Sequence, residues 1–394
     1  MSTLIIGQSG GPTSVINASL VGMVKEALKQ NEISKILGAK YGLGGIINED
    51  FVIFNEDSPL EEIKYTPSSA LGSIRFHIEK YPLDKDIYDK ILTVFKKYDV
   101  RYFAYIGGND SMDTCSKISY FFQKIKYDCK VIGVPKTIDN DLTNTLYSPG
   151  YPSSAKYIAS TIEEIYYDTN AYKDGRATIV EIMGRDAGWL TASSKIASLN
   201  DAGPDLIYLP ESPFDINQFL QDVKKIYDKK HKVLIAVSEG IKDNDGNYFL
   251  IHRDFKTNDD FGHLQLGGVA LVLAEIIKKN LNIPVRAIEL NLPQRCSMHL
   301  VSKTDLKDSE NVGKYAVRYM LKGISGQMIT ITNDKPKYKY TPLDDVAGKT
   351  KLFPLEWIKN NNDIDDKYLD YILPLIKGEV NLKYENGIPQ FKKL

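Results

Sequence analysis

Short apolar runs that alternate with amphipathic segments are the feature that most constrains the fold of this chain. Six such runs, of four to eight residues, are LIIG (4–7), YFAYIG (102–107), VIGVP (131–135), TIVEIMG (178–184), LIYLP (206–210) and VLIAVSEG (233–240). Runs this short, with no polar alternation, are typical of strands covered on both faces. They predict a parallel sheet.

The segments between these runs have the spacing of amphipathic helices. In DIYDKILTVFKKYD, residues Ile87, Ile91, Val94 and Phe95 lie on one face at helical spacing. The stretches SMDTCSKISYFFQKI, SSAKYIASTIEEIYYDTNAY and SPFDINQFLQDVKKIYDKK have similar patterns. Strands separated by helices predict the α/β class with crossover helices, and 394 residues favour two such units.

Charge and composition exclude several kinds of partner. Lys and Arg total 50 and Asp and Glu total 51, so no global field attracts nucleic acid or an anionic membrane. No stretch approaches the roughly 20 apolar residues that span a bilayer, and the first residues lack a positive signal-peptide region. Cys115, Cys129 and Cys296 are too few and too scattered for a disulfide framework or a zinc site. We expect a cytoplasmic protein.

The first two runs are followed by glycine-rich loops. Ligands of open α/β sheets bind beyond the carboxyl ends of strands, so these loops are candidate sites. Gly10 and Gly11 precede a helix that the sequence places near Thr13 or Ser14, with Pro12 at its start. Their backbone N–H groups can bind an anion, and the alternative is a tight turn without a ligand. The second loop, IGGNDS (106–111), contains Asn109, Asp110 and Ser111.

The loop after the third run, VPKTIDND, carries acids and a cation. Asp139 and Asp141 stand two residues apart, beside Lys136 and Thr137. Carboxylates at this spacing can hold Mg²⁺ or act as a general base. The alternative is a solvated turn rich in Asp and Asn.

Arginines bracket the fourth run, GRATIVEIMGRDAGWL. Arg176 precedes it, and Gly184 and Arg185 follow it. Arginine suits phosphate because its planar guanidinium pairs bidentately. The alternative for Arg185 is an ion pair with Glu181 or Asp186.

Two further strand ends complete the set. Glu239 of VSEG can accept hydrogen bonds from sugar hydroxyls, or it can serve as a cap. VRAIELNLPQR contributes Arg286 and Arg295. Glycines, neighbouring acids, a glutamate and four arginines together fit phosphoryl transfer between two phosphorylated molecules. VAGKT (346–350) fails the Walker A pattern because Leu343 stands where its first glycine belongs.

In combination, GQSGGPTSVINAS, GGNDS, PKTIDND, EIMGRDAGWL, VSEG and PQR resemble the phosphofructokinase A family, in its pyrophosphate-dependent branch, over roughly residues 3–325. The resemblance implies two Rossmann-like three-layer α/β/α domains with the active site in the cleft between them. The expected donor domain is 1–150 plus about 294–335. The expected sugar-phosphate domain is 151–293, with an insertion at about 243–283, and 336–394 is a C-terminal extension.

The resemblance implies roles for individual residues. Asp139 would take the proton from the C1 hydroxyl of fructose 6-phosphate, with Thr137 and Asp141 beside it. Gly10 would lie against the donor phosphates, and Asp139 and Asp141 would hold Mg²⁺. The implied products are fructose 1,6-bisphosphate and phosphate, in glycolysis or gluconeogenesis.

The resemblance also implies contacts with the sugar phosphate. Met183, Gly184 and Arg185 would line it together with the transferring phosphoryl group, and Glu239 would bind sugar hydroxyls. Arg295 would hold the 6-phosphate. Residues matching Arg176 and Arg286 reach across from a neighbouring subunit in the family, which implies a homodimer or homotetramer.

Two positions indicate which phosphoryl donor is used, and a third bears on the metal. ATP-using members have GGDG where this chain has GGND, so Asp110 replaces a glycine. Its carboxylate would fill the space of the ATP α-phosphate and would repel that phosphate. Lys136 replaces a family glycine and can pair with pyrophosphate. An ion pair between Asp110 and Lys136 is a compatible alternative. Asn109 stands where many relatives have a metal-binding Asp, so its contact with Mg²⁺ would be weak.

Other interpretations stay open at this point. Asp110 argues against an ATP-dependent 6-phosphofructokinase, and the intact TIDND argues against a non-catalytic sugar-phosphate sensor. Sedoheptulose 7-phosphate is a second acceptor to test. FGHLQLGG (261–268) is similar to one segment of the ATP-using relatives, but we align RAIELNLPQR with that segment instead. The role of Arg295 depends on that alignment, and Leu292 stands where many relatives have His or Tyr.

Overall fold

The computed structural model describes residues 2–250 and 267–394, which form fifteen strands and twelve α-helices. The strands are β1 Ser2–Gln8, β2 Ile33–Ala39, β3 Phe51–Phe54, β4 Val100–Gly107, β5 Lys130–Pro135, β6 Ala177–Ile182, β7 Leu206–Tyr208, β8 Val233–Ser238, β9 Val285–Glu289, β10 Gln327–Ile331, β11 Tyr338–Pro342, β12 Ile358–Lys359, β13 Asp363–Ile364, β14 Tyr384–Glu385 and β15 Ile388–Pro389. All six predicted strands are confirmed.

The helices fill the intervals between the strands. They are α1 Ile16–Ala27, α2 Leu43–Ile47, α3 Leu60–Lys64, α4 Lys85–Lys97, α5 Asn109–Lys124, α6 Tyr151–Asn170, α7 Trp189–Ala192, α8 Ile216–Lys230, α9 Val269–Leu281, α10 Pro293–Cys296, α11 Lys303–Leu321 and α12 Lys367–Ile372. The four predicted amphipathic helices are confirmed. Within the part of the chain that the structure describes, no helix is long and apolar enough to cross a membrane.

The chain divides into two compact units. The first comprises Met1–Ser153, Arg295–Thr350 and Gly378–Leu394. The second comprises Ser154–Gln294 and Lys351–Lys377.

The first unit contains a seven-stranded sheet in the order β11-β10-β5-β4-β1-β2-β3. The strands from β10 to β2 run parallel, and the edge strands β3 and β11 are antiparallel to their neighbours. Ile5, Phe103 and Val131 share one hydrophobic core with α4 and α5. The alternate residues Leu4 and Ala104 are also fully buried, so both faces of the sheet are covered.

The second unit contains four parallel strands in the order β7-β8-β6-β9. Every residue of β6 and β8 is buried, and their core includes apolar side chains of α8 and α9. The N-terminus of α8 is capped by Asp215, whose carboxylate accepts a hydrogen bond from the Gln218 N–H at 2.8 Å. The predicted class, α/β with two units built on parallel sheets, is confirmed.

One local prediction was wrong. The first helix begins at Ile16, so Pro12 lies in the preceding loop and not at a helix start. The Thr13 hydroxyl accepts a hydrogen bond from the Val15 N–H there, which gives the backbone a local alternative to helix. Within residues 336–394, which are expected to be a C-terminal extension, β11 completes the large sheet of the first unit, and Phe353 packs on Trp189 in the second unit.

Candidate active site

Three loops of the first unit meet at the carboxyl ends of β1, β4 and β5. These strands are parallel neighbours, and their ends are joined by hydrogen bonds from the Ser9 N–H to the Ile106 carbonyl and from the Lys136 N–H to the Gly107 carbonyl. The structure therefore brings together the loops that carry Gly10 and Asn109 and the loop that carries Lys136. Ligands of this fold class bind at such an edge.

Lys136 lies at the centre of this cluster with only 2% of its surface exposed. Its ammonium donates a hydrogen bond to the Gly11 carbonyl at 2.5 Å. Burial lowers the pKa of Lys136 to about 8, although the nearby Asp139 and Asp141 carboxylates act in the opposite direction. An anion bound here would stabilise the charged form of the buried ammonium.

Two glycines let the loop backbone lie close to the cations around this contact. Gly10 has a φ of +71°, and a Cβ there would lie 3.4 Å from the Lys136 Nζ. A Cβ on Gly11 would lie 2.9 Å from Nη1 of Arg295, too close without movement of the guanidinium. The loop backbone thus approaches two cations directly.

Arg75 is a member of this cluster that sequence reasoning missed. Burial lowers the pKa of Arg295, and the neighbouring positive charge of Arg75 lowers it further. The segment of Arg75 lies along the first glycine loop, where the Ser73 hydroxyl donates to the Gly10 carbonyl at 2.5 Å. Local sequence carries no signal for this role, because only the long-range contact places Arg75 beside Arg295.

The TIDND loop is held in one conformation by its own side chains and by the segment that follows. The Thr137 hydroxyl accepts from the Asp139 N–H at 3.1 Å, and Thr137 forms a bridge with Gly150. Asn140 is fully buried with a φ of +54°, and its side-chain oxygen accepts from the Ser148 N–H at 3.0 Å. Asp139 remains partly exposed within this fixed frame. This order differs from a freely solvated turn.

The second glycine loop leads directly into α5. A Cβ on Gly107 would lie 2.0 Å from the Ser111 hydroxyl, so the close packing of Ser111 requires glycine there. Asp110 is exposed in the first turn of α5, where the helix dipole favours a negative charge. Among the described residues, the charges that act on Lys136 are Asp139, Arg295, Asp141 and Arg75, and the alternative ion pair with Asp110 does not form.

The first unit offers few metal ligands. Within residues 2–250 and 267–394, no three or more His, Cys, Asp or Glu side chains are grouped as a metal site. Asp139 and Asp141 stand two residues apart in the loop, and both carboxylates act electrostatically on Lys136. Mg²⁺ is commonly held by one or two carboxylates together with substrate phosphates, and this pair fits that mode.

The second unit gathers Met183, Gly184 and Glu239 at the carboxyl ends of β6 and β8. The Gly184 N–H donates to the Glu239 carboxylate at 3.1 Å, and the Met183 N–H donates to the Gln294 side-chain oxygen at 3.1 Å. Gly184 has a φ of +133°, and a Cβ there would lie 2.8 Å from the Ala187 carbonyl oxygen. Two side chains therefore orient a strand-end turn that only glycine can form.

Arg185 is held in a charged network in the same unit. Its Nε donates to Asp186 at 2.8 Å, so the ion pair considered from the sequence exists. Burial would raise the pKa of Asp186, but hydrogen bonds from Tyr248 and Arg185 outweigh it and the pKa is lowered. Glu181 instead accepts from the N–H groups of Gly268 and Ala270.

Arg176 and Arg286 lie at the amino ends of the strands of the second sheet, whereas Gly184 and Glu239 lie at the carboxyl ends. Arg176 immediately precedes β6, and Arg286 is the second residue of the parallel neighbour β9. Arg176 stacks on the Tyr172 ring at 4.1 Å, and Arg286 Nη1 lies 4.0 Å from the Asp168 carboxylate. Within their own unit these arginines are therefore separated from Gly184 and Glu239. FGHLQLGG lies outside the described residues up to position 266.

This fold, with glycine-rich loops and buried cations at the carboxyl ends of parallel strands, is that of an α/β protein that can bind phosphate groups, and comparison with known proteins shows its family. The family called Phosphofructokinase matches residues 3–299. A pyrophosphate--fructose 6-phosphate 1-phosphotransferase of Xanthomonas campestris is 38% identical over 403 residues, covering 99% of this chain and 96% of the relative. A sulfofructose kinase of Alkalicoccus urumqiensis is 31% identical over 379 residues, covering 94% and 95%.

A solved structure agrees with the sequence relatives. The pyrophosphate-dependent phosphofructokinase of Nitrosospira multiformis superposes with a TM-score of 0.87 at 32% identity, covering 100% of this chain and 96% of that one. The chain belongs to the phosphofructokinase family.

Proposed function

We propose that this protein transfers a phosphoryl group reversibly from pyrophosphate to the C1 hydroxyl of fructose 6-phosphate, giving fructose 1,6-bisphosphate and phosphate. The observation that carries the choice of donor is the buried Lys136 ammonium against the Gly11 backbone, with the Asp110 carboxylate exposed at the start of α5. A compact, highly charged anionic donor suits this small cationic site. The α-phosphate of a nucleotide would meet the Asp110 carboxylate.

In the proposed reaction, the C1 oxygen attacks one phosphorus of pyrophosphate. The bond from that phosphorus to the bridging oxygen breaks, orthophosphate leaves, and the hydroxyl proton passes to Asp139. Thr137 orients this carboxylate through the Asp139 N–H. Lys136, Arg185 and backbone N–H groups stabilise the charge on the transferring group. When bound, Mg²⁺ would neutralise pyrophosphate charge, and Asp139 and Asp141 would hold it.

Residues that follow strands of the sheets are proposed to bind the sugar phosphate. Met183, Gly184 and Glu239 would contact the sugar, and Arg295 would hold the 6-phosphate. We further propose a homodimer or homotetramer in which Arg176 and Arg286 serve the site of a neighbouring subunit. Both arginines lie at the amino ends of their strands, away from Gly184 at the carboxyl end, and this supports the arrangement. Three free cysteines, two of them buried, fit the cytoplasmic location that we propose.

The test is a comparison of initial rates with fructose 6-phosphate and Mg²⁺, using either pyrophosphate or ATP as donor. A strong preference for pyrophosphate supports the proposal. A preference for ATP would make the protein an ATP-dependent 6-phosphofructokinase and would refute the role given to Asp110. Binding of the sugar phosphate without turnover on either donor would indicate a sensor. Sedoheptulose 7-phosphate and a 6-sulfonated fructose, tested as acceptors, would define the requirement at the 6-position.

A further inference from the structure

A turn from the C-terminal part of the chain is anchored beside the donor loop. Leu343 and Val346 are buried in the same core as Met112 of α5. The Thr143 hydroxyl donates to the Asp345 carbonyl at 2.9 Å, which fixes the turn on a second side. The tip of the turn is VAGKT, the segment that fails as a Walker A motif.

Asn109 clamps this tip with both polar groups of its amide. Its Nδ2 donates to the Lys349 carbonyl at 2.5 Å, and its Oδ1 accepts from the Gly348 N–H at 2.7 Å. An amide is the side chain that can do both at once. A carboxylate would place an oxygen against the Lys349 carbonyl, and alanine would leave both backbone groups without this partner.

We propose that Asn109 is a positioning residue of the donor loop and not a metal ligand, and that the Gly348–Lys349 turn is thereby part of the donor site. This inference rests on the proposed function. Asn109 stands between Gly108 and Asp110, so its clamp sets the direction in which the first N–H groups of α5 and the Asp110 carboxylate point. The C-terminal segment would then contribute to pyrophosphate binding without touching the ligand.

The two roles of Asn109 predict opposite effects in Asn109→Asp. A metal ligand would gain a charge, and less Mg²⁺ would be needed for half-maximal activity. A clamp would be broken by repulsion, so we expect the KM for pyrophosphate to rise about 5- to 30-fold, with a smaller change in kcat and an unchanged Mg²⁺ requirement. Asn109→Ala should behave in the same way. Asn280→Asp, at an exposed position of α9, is the matched control.

Hydrogen exchange provides a readout independent of turnover. The Gly348 amide should exchange slowly in the wild type and faster in Asn109→Ala. Pyrophosphate alone should protect residues 346–350 in the wild type but not in the variant. A lower Mg²⁺ requirement in Asn109→Asp, or no change in pyrophosphate KM in either variant, would overturn the inference. Absence of wild-type turnover would instead refute the proposed function, while lack of protection by pyrophosphate would refute the role of the turn.

Discussion

The buried ammonium of Lys136 donates a hydrogen bond to the carbonyl of Gly11, 2.5 Å away. This contact joins the loop after β5 to the loop after β1, two strands apart in the sheet. The hydrogen bond holds the Lys136 ammonium away from water, at the carboxyl ends of the strands where the donor is expected to bind. The cost of burying Lys136 is visible in its pKa, which burial lowers to about 8. A bound anion would offset this effect by stabilising the charged ammonium.

Replacing Lys136 should weaken pyrophosphate binding selectively. Lys136→Met keeps the length of the side chain but removes the charge, and hydrogen bonds to charged groups contribute about 1.5–3 kcal/mol. We expect KM for pyrophosphate to rise by about 10- to 150-fold, with KM for the sugar phosphate little changed. Steady-state kinetics on both substrates measures this. Lys130→Met, a change of the partly exposed lysine that begins β5 and pairs with Asp128, should leave the kinetics as in the wild type.

Removal of the proposed base should affect turnover more than binding. Asp139→Ala is expected to lower kcat by about 10²–10⁴ with little change in KM, as for the loss of a general base. Circular dichroism and thermal unfolding should match the wild type, because Asp139 is partly exposed. An unchanged kcat would remove Asp139 from the mechanism.

Asp110 should discriminate between donors by charge. Asp110→Gly restores the residue of ATP-using relatives and removes the carboxylate from the start of α5. We expect the ratio of kcat/KM for ATP to that for pyrophosphate to rise at least about tenfold, because like charges in one site repel strongly. Asp113→Gly, one turn along the same helix, controls for the effect of glycine on α5. An unaltered ratio would mean that the Asp110 side chain points away from the donor.

Asp305 should make stability depend on pH. It is fully buried in the first turn of α11, and burial raises its pKa to about 7, against hydrogen bonds from Ser153 and the Gly150 N–H. The folded protein keeps this proton up to about pH 7, whereas the unfolded chain releases it near pH 3.8. Between these values the folded state binds more protons, so its stability falls as pH rises.

Asp305→Asn removes this titration and isolates its contribution. The stability of the wild type relative to the variant should decline between about pH 4 and pH 7, by about 4 kcal/mol at most. Thermal unfolding of both proteins across this range measures the difference. A difference that grows with pH would show instead that the hydrogen bonds to Asp305 keep it ionised.

Shared sites between subunits can be tested by mixing two inactive variants. Asp139→Ala lacks the proposed base, and Arg286→Ala lacks the arginine proposed to act in the neighbouring subunit. If Arg286 acts across a dimer interface, one site of each mixed dimer is complete, and random mixing should restore about one quarter of wild-type activity. If Arg286 acts within its own chain, no mixed site is complete and the mixture stays inactive.

The sequence by itself determined the main strands and most of the candidate site residues. Strands such as β4 and β6 are visible because their apolar runs are local and short, and a buried parallel strand needs nothing else to be recognised. The candidate residues follow those runs directly. Gly10, Asp139 and Glu239 were therefore found by position, because parallel strands place their carboxyl ends at one edge of the sheet.

Only the tertiary structure decided which distant segments meet at that edge. Arg75 has no local pattern and joins the site because Ser73 hydrogen-bonds to Gly10. Asn109 is predicted as a weak metal ligand from its position, and only the structure shows that Gly348 and Lys349 lie against its amide. Asn109 and Gly348 are 239 positions apart in the chain, so no local sequence pattern indicates their contact. Their meeting depends on the packing of the whole unit, which no local window of sequence encodes.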